Sequence, residues 1–168
     1  MTGALRIEKL RRDHAVENFD CGKSALNRFL VQFAFQNQQA NASQTCVAAR
    51  GEEVVGYHTL VFGQVAFEDA PERLKKGVAR HPAPLMVLAR LAVSATMQGQ
   101  KLGAGLLKDA MLRTLQAADV AGLRALAVHA KDAEAEQFYR HFNFEPSPSD
   151  PMHMLVVLKD LLTVRVLA

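Results

Sequence analysis

Apolar and polar residues alternate along LRIEKL (Leu5–Leu10), the period of a strand with one buried face. Downstream the spacing changes to three and four: Leu26, Phe29, Leu30, Phe33 and Ala34 within KSALNRFLVQFAFQNQ predict one face of an amphipathic helix. TCVAAR and VVGYHTLVFGQVAF follow, rich in β-branched and aromatic residues and separated by GEE, which predicts an antiparallel hairpin. PLMVLARLAVS is apolar almost without a break from Leu85 to Val93, the pattern of a central strand buried on both faces. A second helix is expected where Leu106, Leu107, Ala110, Met111, Thr114, Leu115 and Ala118 recur at helical spacing, closing at Gly122 as a left-handed cap. RALAVHA reads as a fifth strand, DAEAEQFYRHF as a short helix with Asp132 as N-cap, and HMLVVLKDL as a late strand. Hairpin links and strand-helix-strand links in one chain predict an α/β fold of the α+β kind, with a mixed sheet and helices on its faces.

Composition narrows this picture without changing it. A chain of 168 residues, 49% hydrophobic and 22% charged, is expected to form a single domain over 1–168. No apolar run approaches the roughly 20 residues that span a bilayer, and the N-terminus lacks the apolar core of a signal peptide, so a cytoplasmic protein is expected. Cys21 and Cys46 have neither CxxC spacing nor a nearby histidine pair, which predicts reduced thiols and no metal site. Net charge is +3 but uneven: Arg73, Lys75, Lys76, Arg80, Arg90 and Lys101 face only Glu72 between Pro71 and Lys101. That segment is either a solvated loop or a surface for an anion or RNA.

The chemistry concentrates in SATMQGQKLGAGLLKDA, where glycines crowd the entry to the long helix. Helix N-termini expose unpaired N–H groups at the positive end of a dipole, and so suit phosphate oxygens. GxxxxGK[ST] is absent, because Glu17 stands where the GKS at Gly22 would need an upstream glycine; GxGxxG fails at Lys108. The remaining pattern, Gln98-Gly99-Gln100-Lys101-Leu102-Gly103 followed by Ala104, resembles the acyl-CoA pyrophosphate loop of the GNAT acetyltransferases, with Lys101 where that family usually has glycine. AKDAEAEQFYRHFNFEP resembles the family's later segment. There Tyr139 matches the tyrosine that protonates the departing CoA thiolate, and Asn143 stands at a common glycine position, where asparagine best tolerates the same positive backbone angle.

FDCGKSALNRFLVQFAFQNQQANASQTCVAARGEEVVGYHTL extends the similarity to the acetyltransferase toxins of bacterial toxin-antitoxin pairs, from about Leu5 to Leu161. This resemblance implies a GNAT-like, mostly antiparallel sheet that splays between its fourth and fifth strands. It also implies acetyl-CoA as cofactor, the α-amine of aminoacyl-tRNA as acceptor, a ribbon-helix-helix antitoxin as partner, and a homodimer. Leu91, Ala92 and Val93 would offer main-chain groups to pantetheine. Arg73, Lys75, Lys76 and Arg80, with the cluster Lys9, Arg11 and Arg12, would hold RNA phosphates. A GNAT enzyme for a small amine or a protein N-terminus, and a GNAT-shaped binding module without catalysis, are the alternative readings. No histidine stands out as a base, and His129 is expected to be packed or solvent-facing.

Overall fold

The computed structural model describes residues 4–76 and 80–161. Its strands are β1 (Leu5–Lys9), β2 (Gln44–Arg50), β3 (Glu53–Val65), β4 (Ala83–Val93), β5 (Ala125–His129), β6 (Glu145–Pro146) and β7 (His153–Val157). They form one sheet in the order β1-β2-β3-β4-β5-β7-β6, and β4–β5 pair in parallel while β1–β2, β2–β3, β5–β7 and β6–β7 are antiparallel. The helices are α1 (Ser24–Arg28), α2 (Ala34–Gln39), α3 (Glu72–Lys75), α4 (Leu102–Ala118) and α5 (Ala133–His141). Among the described residues no helix is long and apolar enough to cross a membrane. The chain packs as two compact units, one holding the chain up to Val61 with Ala89–Ala110, the other Phe62–Leu88 with the chain from Met111.

In the first unit, alternate positions of β2 serve opposite helices, as the period of two requires. Val47 and Ala49 join Tyr57 and Ala92 against Phe29, Leu30 and Ala34, whereas Ala48 joins Val55, Met97, Leu102 and Leu106. The β2–β3 register shifts between Ala48 and Ala49, so Val55 is an extra residue and both it and Gly56 turn toward α4. A Cβ at Gly56 would lie 2.9 Å from Leu106 Cδ1 and 3.2 Å from the Ala92 carbonyl oxygen, so any side chain there requires Leu106 or the β4 backbone to shift.

The first predicted helix forms, but a π-helical turn, Phe29–Phe33, separates α1 from α2. That wider turn rotates the following residues, leaving Phe29, Leu30 and Ala34 buried but Phe33 46% exposed, against the expectation that it shares the apolar face. Tyr57 anchors the turn from below: its hydroxyl donates to the Leu26 carbonyl at 2.7 Å, and its ring stacks on Phe29.

In the second unit, Leu85 and Val87 of β4 pack with Ala125 and Ala127 of β5, Leu155 of β7 and Leu74 of α3. The β4–β5 register runs only from Leu85↔Ala125 to Leu88↔Val128, the expected splay. β4 is therefore not buried on both faces along its length: past Leu88 it has left the β5 ladder, and Ala89 is exposed. Two further expectations are corrected. α4 closes with tightened bonds, Val120 and Ala121 N–H groups both donating to the Ala117 carbonyl at 3.0 Å, so Gly122 has no cap to supply and takes no positive φ. The last strand stops at Val157, where residues 158–161 turn helical.

Gly56→Ala should lower the urea unfolding free energy by about 1–3 kcal/mol through overpacking against Leu106 and the Ala92 carbonyl. Gly122→Ala, with nothing within 4 Å of its Cβ, should cost far less and serves as the control.

Candidate active site

The glycine stretch is pinned on both flanks and left open in its middle. Upstream, the Ser94 N–H donates to the Val55 carbonyl at 2.9 Å and the Ala95 N–H to the Asp20 carbonyl at 2.8 Å. Gln98 carries the bracing further, its side-chain amide donating to the carbonyls of Cys21 (3.1 Å) and Val93 (3.0 Å). Met97 buries its side chain with Leu102 and Leu106. Between these anchors Gln98, Gly99, Gln100 and Lys101 face solvent.

The segment Phe19-Asp20-Cys21-Gly22 is the brace that this loop leans on. Asp20 Oδ1 accepts from the Gly22 N–H (2.9 Å) and Asn27 Nδ2 (3.0 Å), and Asn27 Oδ1 accepts from the Cys21 N–H (2.9 Å). Those bonds hold the Asp20 carboxyl below the usual carboxylate range, the Gly22 N–H contributing most. Gly22, at φ +90°, makes the corner.

α4 begins with Lys101 as its half-in residue: the Gly105 N–H bonds the Lys101 carbonyl at 3.2 Å, so the N–H groups of Leu102, Gly103 and Ala104 precede the first intrahelical bond. No acidic residue stands in the first turn. A Cβ at Gly103 would meet nothing nearer than 3.8 Å and one at Gly105 nothing within 4 Å, so protein packing does not require bare positions there. The amides, the dipole, the Lys101 charge and the open approach together fit a diphosphate. Gly99 at φ +80° and Lys101 at φ +66° both sit in the left-handed region. Lysine thus takes the backbone shape for which glycine would be unstrained, at a cost of roughly 1–2 kcal/mol. Of the strand groups expected to meet pantetheine, the Val93 carbonyl is engaged by Gln98, and Leu91 and Ala92 lie on the stretch of β4 beyond its β5 register.

In the second unit, α5 positions Tyr139. Asp132 caps the helix as expected, its Oδ1 accepting from the Ala135 N–H at 2.8 Å. The other end is a Schellman motif: the Phe144 N–H bonds the Tyr139 carbonyl (3.2 Å), the Asn143 N–H bonds that of Arg140 (3.0 Å), and Asn143 takes φ +71°. Asparagine fills the left-handed position, as expected. The motif brings Phe144 against Tyr139 edge to face at 5.3 Å, and Phe138 flanks the ring at 5.2 Å. Burial pushes the Tyr139 hydroxyl up to about 12, so it holds its proton through the neutral range. His129 is exposed, stacked on His153 at 6.1 Å.

The basic residues are less free than their spacing suggests. Arg73 forms a two-pronged pair with Asp160 (2.7 and 3.0 Å), a partner 87 positions away that no local count reveals. Lys75 sits 3.6 Å from Glu72 and over the Phe67 ring, which Arg80 also covers at 5.1 Å, while Lys76 is exposed. Arg11 is divided among Glu8, Asp13 and Glu52, and Arg12 lies over Phe35.

One cluster escaped the sequence reading. Cys46, His58 and Asp109 bring ligand-type atoms within 4.8 Å of one another, with His58 Nε2 2.8 Å from Asp109 Oδ2. Cys46 and His58 are direct cross-strand partners, and only the packing of α4 adds Asp109.

The family model for the acetyltransferase (GNAT) domain matches residues 41–146. A tRNA-acetylating toxin of Mycobacterium tuberculosis (strain ATCC 25618 / H37Rv) is 43% identical over 160 residues, covering 95% of this chain and 96% of that protein. Among solved structures, AtaT complexed with acetyl-methionyl-tRNAfMet superposes with a TM-score of 0.89 at 27% identity, over 98% of this chain and 99% of that one. An AtaT mutant toxin bound to the C-terminus of the antitoxin AtaR and acetyl-CoA superposes at 0.80 with 26% identity, over 98% and 97%.

The strain at position 101 is open to measurement. Lys101→Gly should leave the thermal midpoint unchanged or raise it, by up to about 1 kcal/mol of stability, because relief of the left-handed backbone is partly offset by glycine's entropy. Lys101→Val should lower it, since a β-branched residue is a genuine outlier there.

Proposed function

The chain belongs to the GNAT acetyltransferase family, and from that premise we propose that it is a toxin that moves the acetyl group of acetyl-CoA onto the α-amine of aminoacyl-tRNA and so stops translation. The observation that carries the acceptor is the match to a tRNA-acetylating toxin along nearly the whole of both chains. A structurally similar toxin held with acetyl-methionyl-tRNAfMet supports it. A cytoplasmic location, a ribbon-helix-helix antitoxin and self-association belong to the same reading.

Acetyl-CoA supplies an activated acyl group: its carbonyl carbon bonds the amine nitrogen as the C–S bond breaks. Lys101 and the N–H groups of Leu102, Gly103 and Ala104 hold the diphosphate, with Gly99 and Gln100 lining the approach and Gln98 fixing the loop. Leu91, Ala92 and the N–H of Val93 hold the pantetheine arm in strand fashion and polarise the acyl carbonyl. An α-amine titrates at about 8, so a useful fraction is already neutral and nucleophilic without a strong protein base. Tyr139, kept protonated by its burial, gives its proton to the departing sulfur, and the proton that the amine loses as the amide forms passes to solvent, from which the phenolate regains one. Lys75, Lys76 and Arg80 contact acceptor-stem phosphates, and Arg73, tied to Asp160, shapes their surface.

Radiolabelled acetyl-CoA offered with aminoacyl-tRNAs, free amino acids and peptide N-termini should label aminoacyl-tRNA alone, and not when its α-amine is blocked. Label on free amines or peptides in place of aminoacyl-tRNA would assign the enzyme to the small-amine or protein class. Tyr139→Phe should cut kcat about a hundredfold with CoA affinity retained in calorimetry. The rate of the unmodified enzyme should rise with pH through about 8 as the amine loses its proton. Because Tyr139 gives up its own only near 12, no falling limb from it should appear below about pH 10.

A further inference from the structure

The side chain of Arg90 is half-buried, and its guanidinium carbon lies 3.7 Å from the centre of the Phe29 ring. The ring attracts the cation and covers one face of it. Five other arginines have acceptors: Arg6 meets Glu8 and Glu52, Arg11 meets Glu8, Asp13 and Glu52, Arg73 meets Asp160, Arg140 meets Glu136, and Arg124 bonds the carbonyls of Leu74 and Lys76. Arg12 and Arg80 also lie over rings, but both are exposed and sit farther from the ring centre, at 4.8 and 5.1 Å. Arg90 makes no hydrogen bond or ion pair with any described residue, so it holds a full set of donors on a partly desolvated charge. Phe29 opens the π-helical turn, and the Phe29 ring rests on Tyr57, so the platform under the guanidinium is fixed from the core outward.

Position on β4 decides what those donors meet. Ala92, two residues on and on the same face as Arg90, packs with Phe29, Phe19 and Tyr57. Leu91 and Val93 pack on the opposite side with Met97, Leu102 and Leu106, the residues that seat the phosphate loop and α4. Arg90 thus projects from the strand proposed to hold the acyl arm, away from the helix end proposed to hold the CoA diphosphate. The amino acid of aminoacyl-tRNA is an ester with no α-carboxylate, so its main chain carries no negative charge. The first formal negative charge along that acceptor is therefore the phosphate of its 3′-terminal nucleotide.

We propose that Arg90, stacked on Phe29, is a binding residue for the 3′-terminal phosphate of the acceptor RNA and helps set the position of its α-amine. This rests on the aminoacyl-tRNA reading.

The test measures Arg90→Met and Arg90→Lys on aminoacyl-tRNA with acetyl-CoA saturating. Arg90→Met should raise the KM for aminoacyl-tRNA about tenfold and lower the slope of log(kcat/KM) against log salt by about one, as for one lost phosphate contact. Arg90→Lys should fall between it and the unsubstituted enzyme, keeping the charge but losing the planar fork. CoA affinity by calorimetry and the thermal midpoint should hold in both. An unchanged acceptor KM and salt slope would overturn the assignment. A fall in CoA affinity with the acceptor KM unmoved would overturn it too, and give the group to the cofactor's own phosphate. A drop in thermal midpoint with both substrates weakened in parallel would reduce Arg90 to packing, and Arg90→Lys then decides whether charge contributes at all. If the unsubstituted enzyme fails to acetylate aminoacyl-tRNA, it is the underlying reading that falls.

Discussion

Leu106 stands where a side chain at position 56 would begin, and that close approach sets how deeply α4 rests on the sheet. The bulge at Val55 makes it possible by turning two consecutive residues of β3 to the same side. Val55 and Gly56 then receive Leu102 and Leu106 together. Since the unpaired amides at the start of α4 extend from those same turns, their direction is a property of the core and not of the loop. A helix seated higher would carry the same amides away from the loop that precedes them.

The loop itself is built to stay in an unfavourable shape. Two of its residues have left-handed backbones, one a lysine, and such conformations persist only where the surroundings determine them. The surroundings here are the carbonyls of Asp20, Cys21, Val55 and Val93, each accepting a hydrogen bond from the segment between Ser94 and Gln98. This gives a physical role to the Phe-x-Cys-Gly start of the first helix, which in sequence reads only as a family likeness. Cys21 contributes its main chain to that brace, and its thiol is buried.

What could be read from the residues follows from the range of the forces concerned. Leu106, Leu107, Ala110, Met111 and Thr114 recur at helical spacing and are fully buried, because amphipathic period is a local property that packing leaves intact. The capping aspartate, the hairpin and the αL asparagine were legible for the same reason. Phe33 leaves the predicted apolar face because a π-turn changes the period within one turn, and nothing in FLVQF announces it. β4 departs from the expected burial on both faces because continuous apolarity describes residues, whereas burial also depends on where pairing with a neighbouring strand ends, here at Leu88. Arg73 and Asp160, or Cys46, His58 and Asp109, are joined by topology alone.

Charge shows the same contrast most sharply. Counting places the basic character in the segment from Arg73 to Arg80, yet Arg73 is committed to a carboxylate and Lys75 is shared with Glu72. An arginine whose donors are already satisfied offers an incoming phosphate little beyond its diffuse field, because the new contact must displace an old one. Arg90, by contrast, is held by an aromatic ring that takes none of its N–H groups. The ring seats the guanidinium without taking any of its donors, which is what directional recognition of a phosphate needs. The unit that carries the loop proposed for the cofactor and the free end of β4 also carries this guanidinium, so the proposed recognition of donor and acceptor falls on one strand, divided between the two faces of β4.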